Sequence, residues 1–366
     1  MPPERRTLLH VFPTFAVGGA QARFCALANH FAGRYRHVVV ALDGNRAAAE
    51  RLDTGLDIAF PEIAVPKRRP LAALAACHAA LRRLAPDMLI TCNWGAIEWA
   101  LANRARGIPH LHIEDGFGPE ERARQLPRRV RMRRLALAGS TVALPSTTLM
   151  GIARDVWRLP PSRLRYIPNG IDLARFTAAP DAALATWEPA CGPLIGTIAA
   201  LRPEKNIARL LHAFAAATAR SPARLAIAGD GPEAAMLAGL AATLGIAEQV
   251  RFLGHRADPV PVHAAFDIFA LSSDTEQMPL TLIEAMASAR PVAATDVGDV
   301  RAMLAEANRR FVTPPDAAPL ADALVQLIAD AALRAQLGAA NRARAAEAFD
   351  QASMFAAYGA LFDGAG

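Results

Sequence analysis

Glu276 and Glu284 stand eight positions apart in the run Glu276-Gln277-Met278-Pro279-Leu280-Thr281-Leu282-Ile283-Glu284. Pro279 suits the first position of a helix, where a missing N–H costs nothing, so the spacing predicts a loop before it and a helix after it. Leu280 and Thr281 would then offer backbone N–H groups without an intrahelical acceptor, and Glu284 would lie about one turn deeper. Such a helix end attracts phosphate. A carboxylate on each flank can accept hydrogen bonds from sugar hydroxyls, so the stretch suits a diphosphate that carries a sugar at either end. Paired glutamates around a surface helix are also common as solvated charge, and spacing alone does not separate the two readings.

A second group with the right chemistry is Arg202-Pro203-Glu204-Lys205-Asn206, which follows the apolar run 194–201 and precedes a helical pattern over 207–218. An arginine can fork to phosphate oxygens, and a lysine supplies a compact point charge. The chain has 38 arginines and only two lysines, so a lysine in this loop points to a site suited to an ammonium. Surface charge at a strand-to-helix junction is the plainer alternative.

These loops need elements to hold them, and the chain alternates apolar strands with helical windows from end to end. Residues 8–12, 38–42, 88–92, 110–113 and 142–145 read as strands, with helices such as 20–31 and 71–84 between them. The pattern restarts with strands at 194–200, 225–228, 250–253, 268–272 and 292–294. Alternation of this kind means parallel sheets covered on both faces. The expected architecture is α/β, with two doubly wound, Rossmann-like domains facing a cleft where ligands meet the carboxyl ends of the strands. The boundary is expected in 169–193, where Pro180, Pro189 and Pro193 interrupt the periodicity. This gives domains over 1–172 and 173–345, with 346–366 as a C-terminal helix packing back on the first. Neither Gly18-Gly19 nor Gly229-Asp230-Gly231 extends to the dinucleotide fingerprint, and no Walker lysine follows either pair.

Taken in order, the motifs resemble those of the GT-B glycosyltransferases of family 4. They are Gly18-Gly19-Ala20-Gln21, Tyr166-Ile167-Pro168-Asn169-Gly170-Ile171-Asp172, residues 202–206, Ala228-Gly229-Asp230-Gly231-Pro232-Glu233 and Phe252-Leu253-Gly254. The glutamate pair, continuing as Ala285-Met286-Ala287, and Pro291-Val292-Ala293-Ala294-Thr295-Asp296-Val297-Gly298 complete the set. One departure stands out: the family's usual Gly-Phe-Gly after the first glutamate is Gln277-Met278-Pro279 here.

The resemblance implies a retaining, metal-independent enzyme that needs no cofactor and takes a UDP-, GDP- or ADP-sugar as donor. Arg202 and Lys205 would hold the diphosphate, with backbone of Met278, Pro279, Leu280 and Thr281 beside it. Glu284 would take the ribose hydroxyls and Glu276 the transferred sugar. Gly18 and Gly19 would let a loop approach the donor, and Gly254 and His255 would flank the base. Retention in the family is explained by front-face attack, so the carboxylates are not the acid and nucleophile of a glycosidase. The family usually presents a histidine or acidic residue near the anomeric carbon, and His112, ahead of Glu114 and Asp115, is the first choice. His110 and His112 alternate onto one strand face, which leaves open a metal pair or a packed core pair. No metal site is expected.

Composition narrows the rest. At 366 residues and 53% apolar content the chain can bury two ordinary cores. The longest apolar stretch, 234–247, falls short of the about 20 residues that span a bilayer. The apolar run 8–12 ends at Pro13 and reads as a strand and not a signal peptide, so a cytoplasmic protein is expected. Cys25, Cys77, Cys92 and Cys191 show no paired spacing and read as reduced thiols.

Charge is uneven. Residues 1–180 hold 26 Lys+Arg against 14 Asp+Glu, or +12, whereas 181–366 hold 14 against 20, or −6. Seven arginines fall within 122–134, a density that attracts a polyanionic surface. Arg128, Arg129, Arg131 and Arg133 are therefore candidates for docking on the anionic inner face of the cytoplasmic membrane, which suits a lipid-linked acceptor; the resemblance implies a lipid-linked or glycan acceptor in lipopolysaccharide, exopolysaccharide or glycolipid synthesis. A solvated helix face is the alternative. No nucleic-acid partner is expected. Two other classes compete: a GT-B-like nucleotide-sugar epimerase, and a non-catalytic polyanion binder on the same scaffold. Intact Arg202, Lys205, Glu276 and Glu284 argue against the latter.

Overall fold

The computed structural model describes residues 5–66, 69–117, 119–121, 124–187 and 192–364. Arg122 of the arginine cluster, Pro189 of the expected boundary and Cys191 lie outside them. The chain divides into two compact units, one running to Asn169 and resuming at Ala352, the other holding Gly170–Gln351.

In the first unit the strands are β1 (Arg6–Phe12), β2 (Tyr35–Ala41), β3 (Ile58–Ala59), β4 (Met88–Cys92), β5 (His110–Ile113), β6 (Thr141–Leu144) and β7 (Leu164–Tyr166). They form one sheet in the order β3-β2-β1-β4-β5-β6-β7, with every pairing parallel. Alternate residues feed two cores. Leu8 and Phe12 point to the side of the helix Gly19–His30 and the C-terminal helix Gln351–Phe362, where Phe24, Phe31 and Tyr358 are buried. Leu9 and Val11 point to the opposite side, against Leu81 and Trp99. Burial on both faces is why these strands read as continuous apolar runs.

The second unit repeats the plan with β8 (Leu194–Ile198), β9 (Arg224–Ala228), β10 (Val250–Gly254), β11 (Ile268–Leu271), β12 (Val292–Thr295) and β13 (Val312–Thr313). The order is β10-β9-β8-β11-β12-β13, again parallel throughout. The helix Ile207–Thr218 illustrates the local logic. Ile207, Leu210, Leu211, Phe214 and Ala217 are buried at helical spacing, and the Asn206 side chain accepts from the Arg209 N–H at 3.1 Å. Such a cap is worth about 1 kcal/mol.

Inside the first unit, polar side chains replace part of the apolar core. His10 Nε2 lies 3.1 Å from His37 Nδ1, and Thr91 Oγ1 lies 2.8 Å from both His110 Nε2 and His112 Nδ1. Burial drives the His10 pKa well below the ordinary imidazole value, with His37 adding to the effect. Burial also lowers His37 to about 4 and, helped by His112, His110 to about 3. Below the unfolded value of about 6.5 the unfolded chain therefore binds protons that the folded one refuses, so stability is present above that pH and lost as pH falls. Denaturant titrations should show the unfolding free energy declining from pH 6.5 toward pH 4. The decline should be shallower when His37 and His110 are both replaced by Gln, and equal slopes would refute the burial of these two rings as its cause.

Candidate active site

β8 and β11 are neighbours although two strands separate them in sequence, so the order reverses between them, and the loops leaving their carboxyl ends form a crevice. The loop after β8 carries Arg202 and Lys205; the loop after β11 carries Ser272, Ser273 and Glu276. Lys205 Nζ lies 2.6 Å from Glu276 Oε1, which also accepts from Ser273 Oγ at 2.7 Å. Ser272 Oγ donates to the Lys205 carbonyl at 3.1 Å, and the Asp274 N–H donates to the Glu204 carbonyl at 2.9 Å. Arg209 closes the lacing, with Nη1 on the Ser272 carbonyl at 2.7 Å and Nη2 on Asp274 Oδ1 at 2.6 Å. An ammonium has three donors, so Lys205 keeps two for another anion after serving Glu276. Arg202 is exposed at the head of the one-turn helix Pro203–Lys205.

Two glycines from the motif set let these loops sit so close. A Cβ on Gly229 would lie 1.8 Å from the Ala199 carbonyl oxygen, and one on Gly298 would lie 2.0 Å from that of Glu276. Both have positive φ, 137° and 54°, so glycine is needed twice over. The first buttresses the arginine–lysine loop and the second the glutamate loop.

The helix beyond Glu276 runs Leu280–Ala287. Pro279 is extended, φ −68° and ψ 124°, and caps the helix, so the first helical residue is Leu280 and not Pro279 as the spacing predicts. The Leu282 N–H already donates to the Pro279 carbonyl at 3.2 Å, leaving Leu280 and Thr281 as the leading amides. Glu284 does not join Lys205; its Oε2 lies 3.1 Å from Nε2 of the buried His263. His255 is exposed just after β10, the edge strand, and Gly254 takes φ 67° with its carbonyl accepting from the Gly229 N–H at 2.8 Å.

Residues 188–344 match the family described as glycosyl transferases group 1, and residues 17–175 match glycosyltransferase family 4. The chain belongs to the GT-B glycosyltransferases of group 1 and family 4. It is 30% identical over 294 residues to a D-inositol 3-phosphate glycosyltransferase of Salinispora arenicola, covering 71% of this chain and 64% of that one. It is 34% identical over 190 residues to LpsE, a lipopolysaccharide core biosynthesis glycosyltransferase of Rhizobium meliloti, covering 51% and 54%. The chain thus spans less than two thirds of the length of these curated relatives. In fold it is similar to Anabaena HepE in complex with UDP and glucose, at TM-score 0.81 and 19% identity over 98% of this chain and 100% of that one.

Within this GT-B chain the departure from Gly-Phe-Gly finds a physical account. Met278 is buried in the core with Phe269, Leu282 and Ile283, so an apolar side chain still fills the middle position and only its backbone can face a ligand. Pro279 is buried as well. In the first unit Gly18 caps the helix Gly19–His30 with extended backbone, φ −170°, which any residue can adopt. A Cβ there would meet only the movable Gln21 amide, at 2.8 Å.

His112 requires correction. It lies in the middle of β5 with its side chain fully buried, Nδ1 tied to Thr91 and Nε2 3.6 Å from Glu114, itself fully buried. In this conformation neither side chain reaches a bound molecule. Asp115, 19% exposed past the end of β5, is the group of that segment that reaches the surface. Arg23 grips it with Nη1 at 2.6 Å and Nη2 at 2.8 Å, and also bonds Asn169 Oδ1 at 2.8 Å. Nothing in the spacing of Arg23 singles it out, because a buried arginine on a helix is legible only once its carboxylate partner is placed. The metal reading of His110 and His112 also loses its basis, since both nitrogens of His110 and Nδ1 of His112 are taken by Thr91 and Ser140 hydroxyls.

The arginine cluster divides in two. In the helix Pro127–Leu137, Arg128 and Arg131 are exposed, as is Arg124 before it. Arg133 is fully buried, bonded to Glu114 and Glu121 at 3.2 Å and set over the rings of Trp94, Trp157 and Phe117 at 5.0, 4.9 and 5.2 Å. Arg129 lies over Trp94 and bonds Glu120 at 2.6 Å and Glu121 at 3.0 Å. Burial tends to raise the Glu121 pKa, but these two arginines outweigh it and hold the carboxyl below its ordinary range. Arg133 and Arg129 are therefore structural, contrary to the docking role expected from their density.

Proposed function

We propose that the chain is a retaining, metal-independent glycosyltransferase that moves a sugar from a nucleotide-diphosphate sugar to a lipid-linked or glycan acceptor in cell-envelope polysaccharide or glycolipid synthesis. The observation that carries the reading is the Lys205–Glu276 pair at the strand-order reversal. A diphosphate entering there meets the spare donors of Lys205, the Arg202 guanidinium and the leading amides of the helix Leu280–Ala287. Glu276 then accepts from hydroxyls of the transferred sugar, and Glu284 from those of the ribose. As the C1–O bond to phosphate breaks, the acceptor oxygen bonds C1 from the same face and its proton passes to the departing phosphate oxygen. No enzyme nucleophile is required. Charge on the leaving group is where preorganised cations contribute most. The lipopolysaccharide relative and the UDP- and glucose-bound structure of similar fold support this donor and acceptor class.

A thermal-shift screen with UDP, GDP and ADP tests the donor reading, since ligand at 100 times its Kd adds about 2.7 kcal/mol of stability. One diphosphate should raise the midpoint in EDTA, and a donor sugar should yield a product of unchanged anomeric configuration only when acceptor is present. An inverted product would overturn the retaining mechanism, and sugar isomerised without acceptor would overturn the proposal and favour the epimerase. No stabilisation by any nucleotide would favour the polyanion binder.

The membrane reading rests on a smaller set of residues than density suggested. Arg124, Arg128 and Arg131 are exposed, next to exposed Leu135 and Val156. Among the described residues no helix is long and apolar enough to cross a membrane. Docking on an anionic inner leaflet would use about 1 kcal/mol per arginine, so replacing the three by Gln should weaken binding to anionic vesicles roughly 100-fold. Donor hydrolysis should survive. Vesicle pelleting undiminished at low salt would remove the docking role.

A further inference from the structure

His263 sits in the short helix Val260–Ala265, with its side chain wholly removed from solvent. Its ring is enclosed by Phe176, Phe266 and Phe269, at centroid distances of 6.3, 5.8 and 5.5 Å. Nε2 lies 3.1 Å from Glu284 Oε2, whereas Nδ1 is buried without a hydrogen-bond partner among the described residues. A carboxylate only accepts, so Nε2 must carry the proton and donate it. Nδ1, enclosed by the aromatic rings, has no acceptor to meet, so Nε2 is the ring's one polar link to its surroundings among the described residues.

We infer that His263 is a positioning residue for the ribose grip. It fixes the plane of the Glu284 carboxylate so that Oε1 and the remaining lone pair of Oε2 meet two vicinal hydroxyls of a nucleotide ribose. This rests on the proposed assignment of Glu284 to the ribose. A free glutamate side chain has rotamer entropy to lose on binding, and a bond already made from a rigid, caged ring removes part of that loss beforehand. The Glu284 side chain is 17% exposed, with Oε2 held by His263. The consequence is chemical selectivity. A ribonucleotide presents both hydroxyls to the fixed carboxylate, and a 2′-deoxy or 3′-deoxy nucleotide leaves one acceptor unmet.

The test is a cycle between protein and ligand. Calorimetry is run with UDP, GDP and ADP and their 2′-deoxy counterparts on the wild type, His263→Phe and His263→Gln. Phenylalanine suits the aromatic cage but lacks the donor; glutamine can return an N–H near the place of Nε2. The wild type should prefer the ribonucleotide by about 10-fold or more, as for a hydrogen bond to a charged group. His263→Phe should lower ribonucleotide affinity about 5- to 20-fold and bring the ribo/deoxy ratio close to one, raising donor KM more than it lowers kcat. His263→Gln should recover most of both. The ratio is read within one variant, so a partly unfolded preparation does not disturb it. A wild-type ratio retained in His263→Phe overturns the role of His263 and leaves Glu284 on the ribose. A wild type blind to the missing hydroxyl overturns both.

Discussion

Replacing Arg133 by alanine will destabilise the first unit by about 3–5 kcal/mol, the cost of breaking a buried ion pair from one side. The guanidinium is fully buried between Glu114 and Glu121, so its loss leaves the buried Glu114 without an arginine, leaves Glu121 with Arg129 alone, and empties the space among Trp94, Phe117 and Trp157. Arg131, two residues earlier and exposed, is the control: its alanine variant should stay within about 0.5 kcal/mol of wild type. Denaturant unfolding compares them. Equal stabilities for the two variants would mean that the buried network is not what holds this helix in place.

Lys205→Ala and Arg202→Ala will each lower turnover about 100-fold or more, equivalent to roughly 2.7 kcal/mol of transition-state stabilisation, while the fold persists. The Lys205 effect has two sources. In the proposed reaction the leaving diphosphate loses a cation, and Glu276, only 10% exposed, keeps Ser273 but loses its charged partner and with it a defined position. Lys205→Arg separates charge from shape, since a planar fork cannot reproduce three donors radiating from one nitrogen. We expect that variant to recover nucleotide affinity but remain about 10-fold slow, as poorly placed groups usually do. Single-turnover rates distinguish chemistry from product release. Near-normal rates in both alanine variants would remove the site from the second unit altogether.

How much of this was written in the chain differs by element. Strands four residues or longer are legible, because a strand buried on both faces is mostly apolar; 88–92 and 110–113 match β4 and β5 residue for residue. β3 and β13, two residues each, and β7, three, carry too little sequence to show a pattern. The loops bearing Arg202, Lys205 and Glu276 were also legible, since proline, glycine and clustered charge at strand ends have local causes.

Partnership was not legible. Arg133 and Arg131 are the same residue type two positions apart, and helical geometry turns one into an aromatic cage and the other toward water. The resemblance points to His112, but strand alternation turns it inward to Thr91, and Asp115 past the strand end is the group left near the surface. The bond from Lys205 to Glu276 spans 71 positions, and that from His263 to Glu284 joins two helices. Local sequence determines which residues form each strand, loop and cap, because those preferences act within a few bonds. Which charge meets which partner, and which is buried at all, is decided only when the sheet order closes and the dielectric around each group is set by its neighbours.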